Sequence, residues 1–191
     1  MSVIELIAVG LALAYVVLAI RERRSCWLAA AVSAALYAWI FAEARLYMES
    51  ALQFFYIAMA AYGWMSWGQD RSGQQLPISR WTIRQHTIAI AGVLLASTAS
   101  GFLLETYTQA ALPWIDSFTT IAALVTTWMV ARKVLENWVY WIVIDTVSIY
   151  LYLSRDLTLT AALFAGYVVL ALAGYLEWQR HWRAQNAQGR D

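Results

Sequence analysis

Seven mostly apolar runs, each about the length that crosses a bilayer, follow one another along this chain with short polar gaps between them. A helix needs roughly 17–25 such residues to span the hydrocarbon core. The runs lie at about 3–20, 26–42, 47–67, 87–104, 117–131, 137–153 and 158–177. Of the 191 residues 62% are hydrophobic and 13% charged, about half the charged share of a soluble domain. The expected fold is therefore an all-α membrane protein with seven transmembrane helices. Pro77 and Pro113 both fall between runs, so no span is expected to carry a proline kink. A basic n-region with a small-residue cleavage site is missing, and the first run reads as a retained helix.

The positive charges alternate. Arg21, Arg23 and Arg24, then Arg71, Arg80 and Arg84, then Arg132 and Lys133, then Arg180, Arg183 and Arg190 occupy every second connection. The other connections hold only Arg45 and Arg155. Under the positive-inside rule this puts the N-terminus outside and the C-terminus in the cytoplasm. An even number of spans would spoil the alternation.

Displacing the chain by 111 residues lays its end on its beginning without a gap. Glu5 meets Asp116, Arg21 meets Arg132, Trp27 meets Trp138, Leu46 meets Leu157, Tyr56 meets Tyr167, Gly63 meets Gly174 and Trp67 meets Trp178. Three spans (1–67), a linker span (87–104) and three more (116–178) make a 3-1-3 plan in one transmembrane domain over 1–191. The odd linker leaves both copies in the same orientation, a parallel repeat of the kind built into transporters, whose substrate sites lie near mid-membrane.

The copies differ where chemistry would sit. Trp138, Trp141, Asp145, Ser148 and Tyr152 are spaced 3, 4, 3 and 4 apart, one stripe of a helix. Trp141, Asp145 and Ser148 replace Ala30, Ala34 and Tyr37 of the first copy. A carboxylate deep in a span costs several kcal/mol unless it meets a partner or a cavity, and so marks a functional site by default. Indole faces beside an acid suit a flat, cationic aromatic ligand. In the third span Gln53, Tyr56, Ala60, Gly63 and Trp67 recur at 3–4 spacing, and Gln53 is a candidate for the same cavity. Each residue also has a plainer role open to it. Trp138 could anchor at the interface, Asp145 could bond Thr126 or Thr127, and Gln53 could join helices. Gly63 and Gly174 would allow close helix approach, and Asp116 and Glu49 would cap helix starts.

Metal and redox sites are poorly supplied. Cys26 is the lone cysteine, and His86 and His181 lie in polar flanks. A membrane-embedded enzyme, the reading from another class, would need paired carboxylates, a metal or an activated nucleophile at depth. Only Asp145 lies deep.

The run Asp116-Ser-Phe-Thr-Thr, then Ala131-Arg-Lys-Val-Leu-Glu-Asn-Trp-Val-Tyr-Trp141-Ile-Val-Ile-Asp145, resembles the PnuC family of bacterial vitamin transporters. So do Leu52-Gln-Phe-Phe55 and Tyr62-Gly-Trp-Met-Ser-Trp67. The resemblance runs from about the second span to the last. It implies a SWEET-like 3-1-3 fold in the bacterial inner membrane and facilitated uptake of a vitamin that a cytoplasmic kinase traps by phosphorylation, with no cofactor. Nicotinamide riboside is the first substrate it implies, with thiamine and riboflavin as those of other branches. By position, Trp138 and Trp141 would flank the vitamin ring, Gln53 would hydrogen-bond it, and Asp145 would reach a polar group. Ser148, Tyr56, Tyr152, Thr120 and Thr127 complete the candidate substrate-binding set. Family members tied to nicotinamide riboside often carry asparagine at the position of Asp145 and another about where Ala60 stands. Both nicotinamide riboside and thiamine are cations, so both stay open. The expected partners are the vitamin and membrane lipid, with a homo-oligomer open and no nucleic acid.

Overall fold

The computed structural model describes residues 3–43, 47–68, 75–108, 112–154, 156 and 158–188. Arg45, Leu46, Arg71, Arg155, Leu157 and Arg190 lie outside the described residues, as does the side chain of Glu49. Seven helices form among them: α1 (Val3–Ile20), α2 (Cys26–Glu43), α3 (Tyr47–Ser66), α4 (Ile83–Tyr107), α5 (Pro113–Ala131), α6 (Asn137–Leu153) and α7 (Thr158–Gln188). The chain is an all-α membrane protein. By length and composition alone, α1, α2, α4, α5 and α7 can each cross a bilayer. The two that fall short, α3 and α6, are the helices that carry the candidate polar residues. α6 has 17 residues and is simply short, whereas in the 20-residue α3 polar and aromatic side chains such as Gln53 lower the hydropathy, a loss a membrane helix tolerates where such side chains face protein or a cavity.

Three starts and ends differ from the sequence expectation. α4 begins at Ile83 rather than near 87, because Thr82 and Gln85 close a reciprocal capping box that satisfies two otherwise orphaned amides. α5 begins on Pro113, which is not in a loop; as the first helical residue it gives up an amide that has no partner there anyway. Asp116 therefore sits inside the first turn, where its charge complements the helix dipole, and Leu112 occupies the cap position. α7 runs on to Gln188, about three turns beyond the expected 177, and Glu177 faces Arg180 and His181 along it at 3.5 and 3.4 Å.

The chain divides into two compact units, Met1–Pro77 and Ile78–Asp191. In the first, α2 packs on both α1 and α3. In the second, α6 packs on both α5 and α7, and α4 adds itself to α5. The middle helix of each bundle is thus its hub.

The 111-residue register reappears as geometry. Glu22 and Lys133, one register apart, both take left-handed backbone with φ of 52° and 49°. The Glu22 amide donates to Ala19 and the Arg23 amide to Leu18, at 3.0 and 2.9 Å. At the other corner the Lys133 amide donates to Val130 and the Val134 amide to Met129, at 2.9 and 3.0 Å. The Cys26 amide reaches Arg23 as the Asn137 amide reaches Val134. One helix-to-helix corner has been built twice.

Just past each corner stands a buried indole. Trp27 meets Trp67 edge-on at 5.5 Å and 87°, and Trp138 meets Trp178 at 5.4 Å and 88°. Each indole lies on a glycine of the third helix of its bundle. A Cβ on Gly63 would run into the Trp27 ring, and one on Gly174 would come within 2.7 Å of Trp138. The close approach expected of these glycines is how each bundle closes. Lipid tails are as apolar as leucine, so such packing, not water exclusion, holds membrane helices together.

Adding a methyl at either seat should destabilise the protein by about 1–3 kcal/mol, the usual cost of overpacking. Gly63→Ala and Gly174→Ala should each lower the melting temperature in detergent. Gly166→Ala, where an added carbon meets nothing within 4 Å, should not. Three indistinguishable melting curves would remove the glycine seats from this account.

Candidate functional site

The α6 stripe is divided along its length. Trp138, in the first turn, is 3% exposed and belongs to the packing on Gly174 and Trp178. Trp141, one turn on, is half-buried and lies against a small apolar cluster built from Val93, Ala122 and Ile144 of α4, α5 and α6. Asp145 and Ser148 follow, both buried. Tyr152 ends the stripe against Phe164, with ring centroids 5.0 Å apart, and Phe164 in turn meets Tyr167 edge-on.

Asp145 makes no hydrogen bond or ion pair with any described residue. The threonines that could have satisfied it turn inward on their own helix. Thr126 donates to the Ala122 carbonyl at 2.7 Å and Thr127 to Ala123 at 2.8 Å. Such back-bonding is how a lone hydroxyl is satisfied in an apolar span. Thr120 stands seven residues before Thr127 on α5 and is half-buried. A buried carboxylate without a protein partner carries an uncompensated desolvation cost, and an arriving cation or donor would relieve it.

Gln53 and Tyr56 belong to the first unit. Both are half-buried on α3, and Tyr56 meets Phe55 edge-on at 5.7 Å. Among the described residues no group of three or more His, Cys, Asp and Glu side chains could hold a metal ion.

Two residues beside the stripe were not singled out from the sequence. Asn137 is fully buried; its Nδ2 donates to the Val134 carbonyl at 2.7 Å, and its Oδ1 has no partner. The Trp27 and Trp138 indole nitrogens are likewise buried without one. Glu136 holds the cap position of α6 yet does not cap it. Its carboxylate instead accepts from Arg80 Nε at 2.7 Å and from the Trp81 amide at 3.2 Å. Backbone bonds from Ser79 to Lys133 and from Leu135 to Ser79, at 3.0 and 2.9 Å, lace the same two segments together. His86, in the first turn of α4 rather than a polar flank, completes the fastening through its Nδ1 and the Tyr140 hydroxyl at 2.9 Å. The segment before α4 is thereby latched to the start of the stripe helix. A glutamate three residues past a corner lysine carries no sequence signal for that job.

The family model described as nicotinamide mononucleotide transporter matches residues 2–180. The riboflavin/roseoflavin transporter RibM of Streptomyces davaonensis is 26% identical over 64% of this chain and 59% of its own length. This chain thus matches somewhat under two thirds of that relative. The nicotinamide riboside transporter PnuC of Escherichia coli is 22% identical over 93% of this chain and 85% of its own. The crystal structure of the vitamin B3 transporter PnuC superposes with a TM-score of 0.74, at 20% identity, covering 95% of this chain and 82% of that one. That likeness gives the fold. The relatives are transporters, not enzymes.

The latch should contribute measurably to stability. Arg80 is about half exposed and Glu136 mostly buried, so screening reduces the ion pair while the amide bond keeps its value. Glu136→Ala should cost about 1–2 kcal/mol, more than Arg80→Ala, and the double variant should cost less than the two summed. Full additivity in chemical or thermal melts would mean that the two side chains do not act together.

Proposed function

The chain belongs to the nicotinamide mononucleotide transporter family, and from that premise we propose that it carries a cationic aromatic vitamin across the membrane, nicotinamide riboside first. The single observation that supports this best is Asp145, a buried carboxylate that no described side chain satisfies. In this reading Asp145 meets the positive ring, Trp141 stacks on it, and Ser148 bonds its polar edge. Trp138 supports them from its glycine seat. Thr120, Thr127 and Tyr152 are the outer members of the set, and Gln53 and Tyr56 are the first unit's candidates. Thiamine is the second reading, because the same charge suits its cationic ring. Riboflavin, which the name of RibM suggests, is neutral and leaves Asp145 without an ion to meet.

Uptake in this proposal is facilitated diffusion, with the N-terminus outside and the product trapped by cytoplasmic phosphorylation. One buried acid is a thin basis for a proton relay. In proteoliposomes labelled substrate should therefore equilibrate and stop, indifferent to imposed proton or sodium gradients. Gradient-driven accumulation above the external concentration would replace the uniporter with a symporter.

Asp145→Asn preserves shape while removing charge. Loss of a charge-assisted bond in a partly desolvated site costs on the order of 1.5–3 kcal/mol, or one to two decades of affinity. Titration by quenching of tryptophan fluorescence should show nicotinamide riboside, or thiamine if that is the substrate, binding that much more weakly to a folded variant. Equal affinity for both cations before and after substitution would return Asp145 to helix packing.

A further inference from the structure

The seam between α6 and α7 carries an aromatic pair near each end. At the start of α6, Trp138 meets Trp178 edge-on at 5.4 Å, both rings are buried, and Gly174 seats the first of them. At the end of α6, Tyr152 meets Phe164 at 5.0 Å, and Phe164 meets Tyr167 at 5.7 Å. These three rings are only half-buried. Gly166, on the same stretch of α7, seats no ring, since an added carbon there meets nothing within 4 Å. Between the two pairs, on the stripe, lie Asp145 and Ser148, both buried and neither hydrogen-bonded through its side chain to a described residue. The first bundle does not repeat the second pair. Phe41 and Gln53 stand where Tyr152 and Phe164 do, and Phe41 stacks instead on Tyr37 of its own helix, 5.6 Å away.

We propose that Tyr152 and Phe164 form the outer gate of the α6 site, closing over the ligand that Asp145 and Ser148 meet. The inference rests on the transport reading given above, and on the topology proposed there this end of α6 faces outward. Ser148 lies about 6 Å deeper than Tyr152 along the helix, so a ligand arriving from that end passes the aromatic pair first. The inner pair is fastened ring on backbone, and its corner is latched through Glu136. The outer pair is joined ring to ring, and a rotamer change at either side chain parts it without unseating a helix. Aromatic pairs contribute modestly beyond their burial, a strength that favours the closed state and still permits opening.

Access to position 148 reads the gate without any substrate, so a failed transport assay and a failed gate are separate results. Ser148→Cys is placed in the full-length protein in right-side-out vesicles and treated with a small, membrane-impermeant cationic methanethiosulfonate. The native Cys26 is buried, and the protein without the added thiol supplies the blank. Labelling should be slow while Phe164 is in place. Phe164→Ala should speed it about tenfold, because modification of a covered thiol tracks the population of the open form. Phe164→Gln, which keeps a long side chain and copies the matching residue of the first bundle, should act in the same direction. Ser117→Cys is the second reporter, buried at the same end of the unit but in the contact of α5 with Ser100 of α4. Phe164→Ala should leave its labelling within about twofold, as expected of an independent site. Acceleration at both reporters would mean that Phe164 holds the bundle together instead of gating it. Fast labelling at 148 with Phe164 intact, or no acceleration in either Phe164 variant, would mean that the pair does not cover the site. Each of these results overturns the proposal.

Discussion

An indole can lie flat on a helix only where that helix has no side chain, and both bundles depend on that exclusion. Trp27 on Gly63 and Trp138 on Gly174 bring the middle helix of each bundle against its third. Water is not available in a bilayer to drive helices together. The close fit of ring on backbone therefore does work that apolar burial does in a soluble core. Trp67 and Trp178 wedge edge-on behind the two rings in the electrostatically preferred arrangement for aromatic pairs. The left-handed corners at Glu22 and Lys133 deliver each indole to its seat. In the second bundle the Glu136 latch then ties that corner to the chain entering α4.

The stripe of α6 inherits its orientation from that seat. Trp138 fixes the rotation of the helix in its first turn, and residues three and four apart must follow on the same side. Asp145 is buried because α6 is the hub between α5 and α7, not because its own bonds hold it there. The threonines of α5 have already spent their hydroxyls on their own helix. Among the described residues, Asp145 is left in a largely apolar bundle without a hydrogen-bond partner.

Most of the helices were readable from hydropathy, since a bilayer dictates length and apolarity together. The starts of α4 and α5 were not, because Arg84, Gln85 and His86 read as a polar flank and Pro113 as a breaker. Their helical positions follow from capping, which hydropathy does not register. Asp145 was conspicuous as a charge in an apolar run. The packing work of Trp138 could not be read from the stripe, whose spacing offered it as a ligand contact or an interface anchor; its match to Trp27 in the 111-residue register is the signal that could have shown it. The tie from Glu136 to Arg80 joins residues 56 apart, and neither side chain has a periodicity that would announce it.

The division of α6 into an anchoring first turn and a later, unpartnered face separates what must be kept from what can drift. Trp138 cannot change without unseating the bundle. Among the described residues the side chains at 145 and 148 make no hydrogen bond, while Trp141 contributes packing against Val93, Ala122 and Ile144. At the places 111 residues earlier the chain carries alanine, alanine and tyrosine, so the polar part of the stripe has no counterpart in the first bundle. The fastening of this bundle comes down to one turn of one helix, and the stripe positions beyond that turn take no part in it.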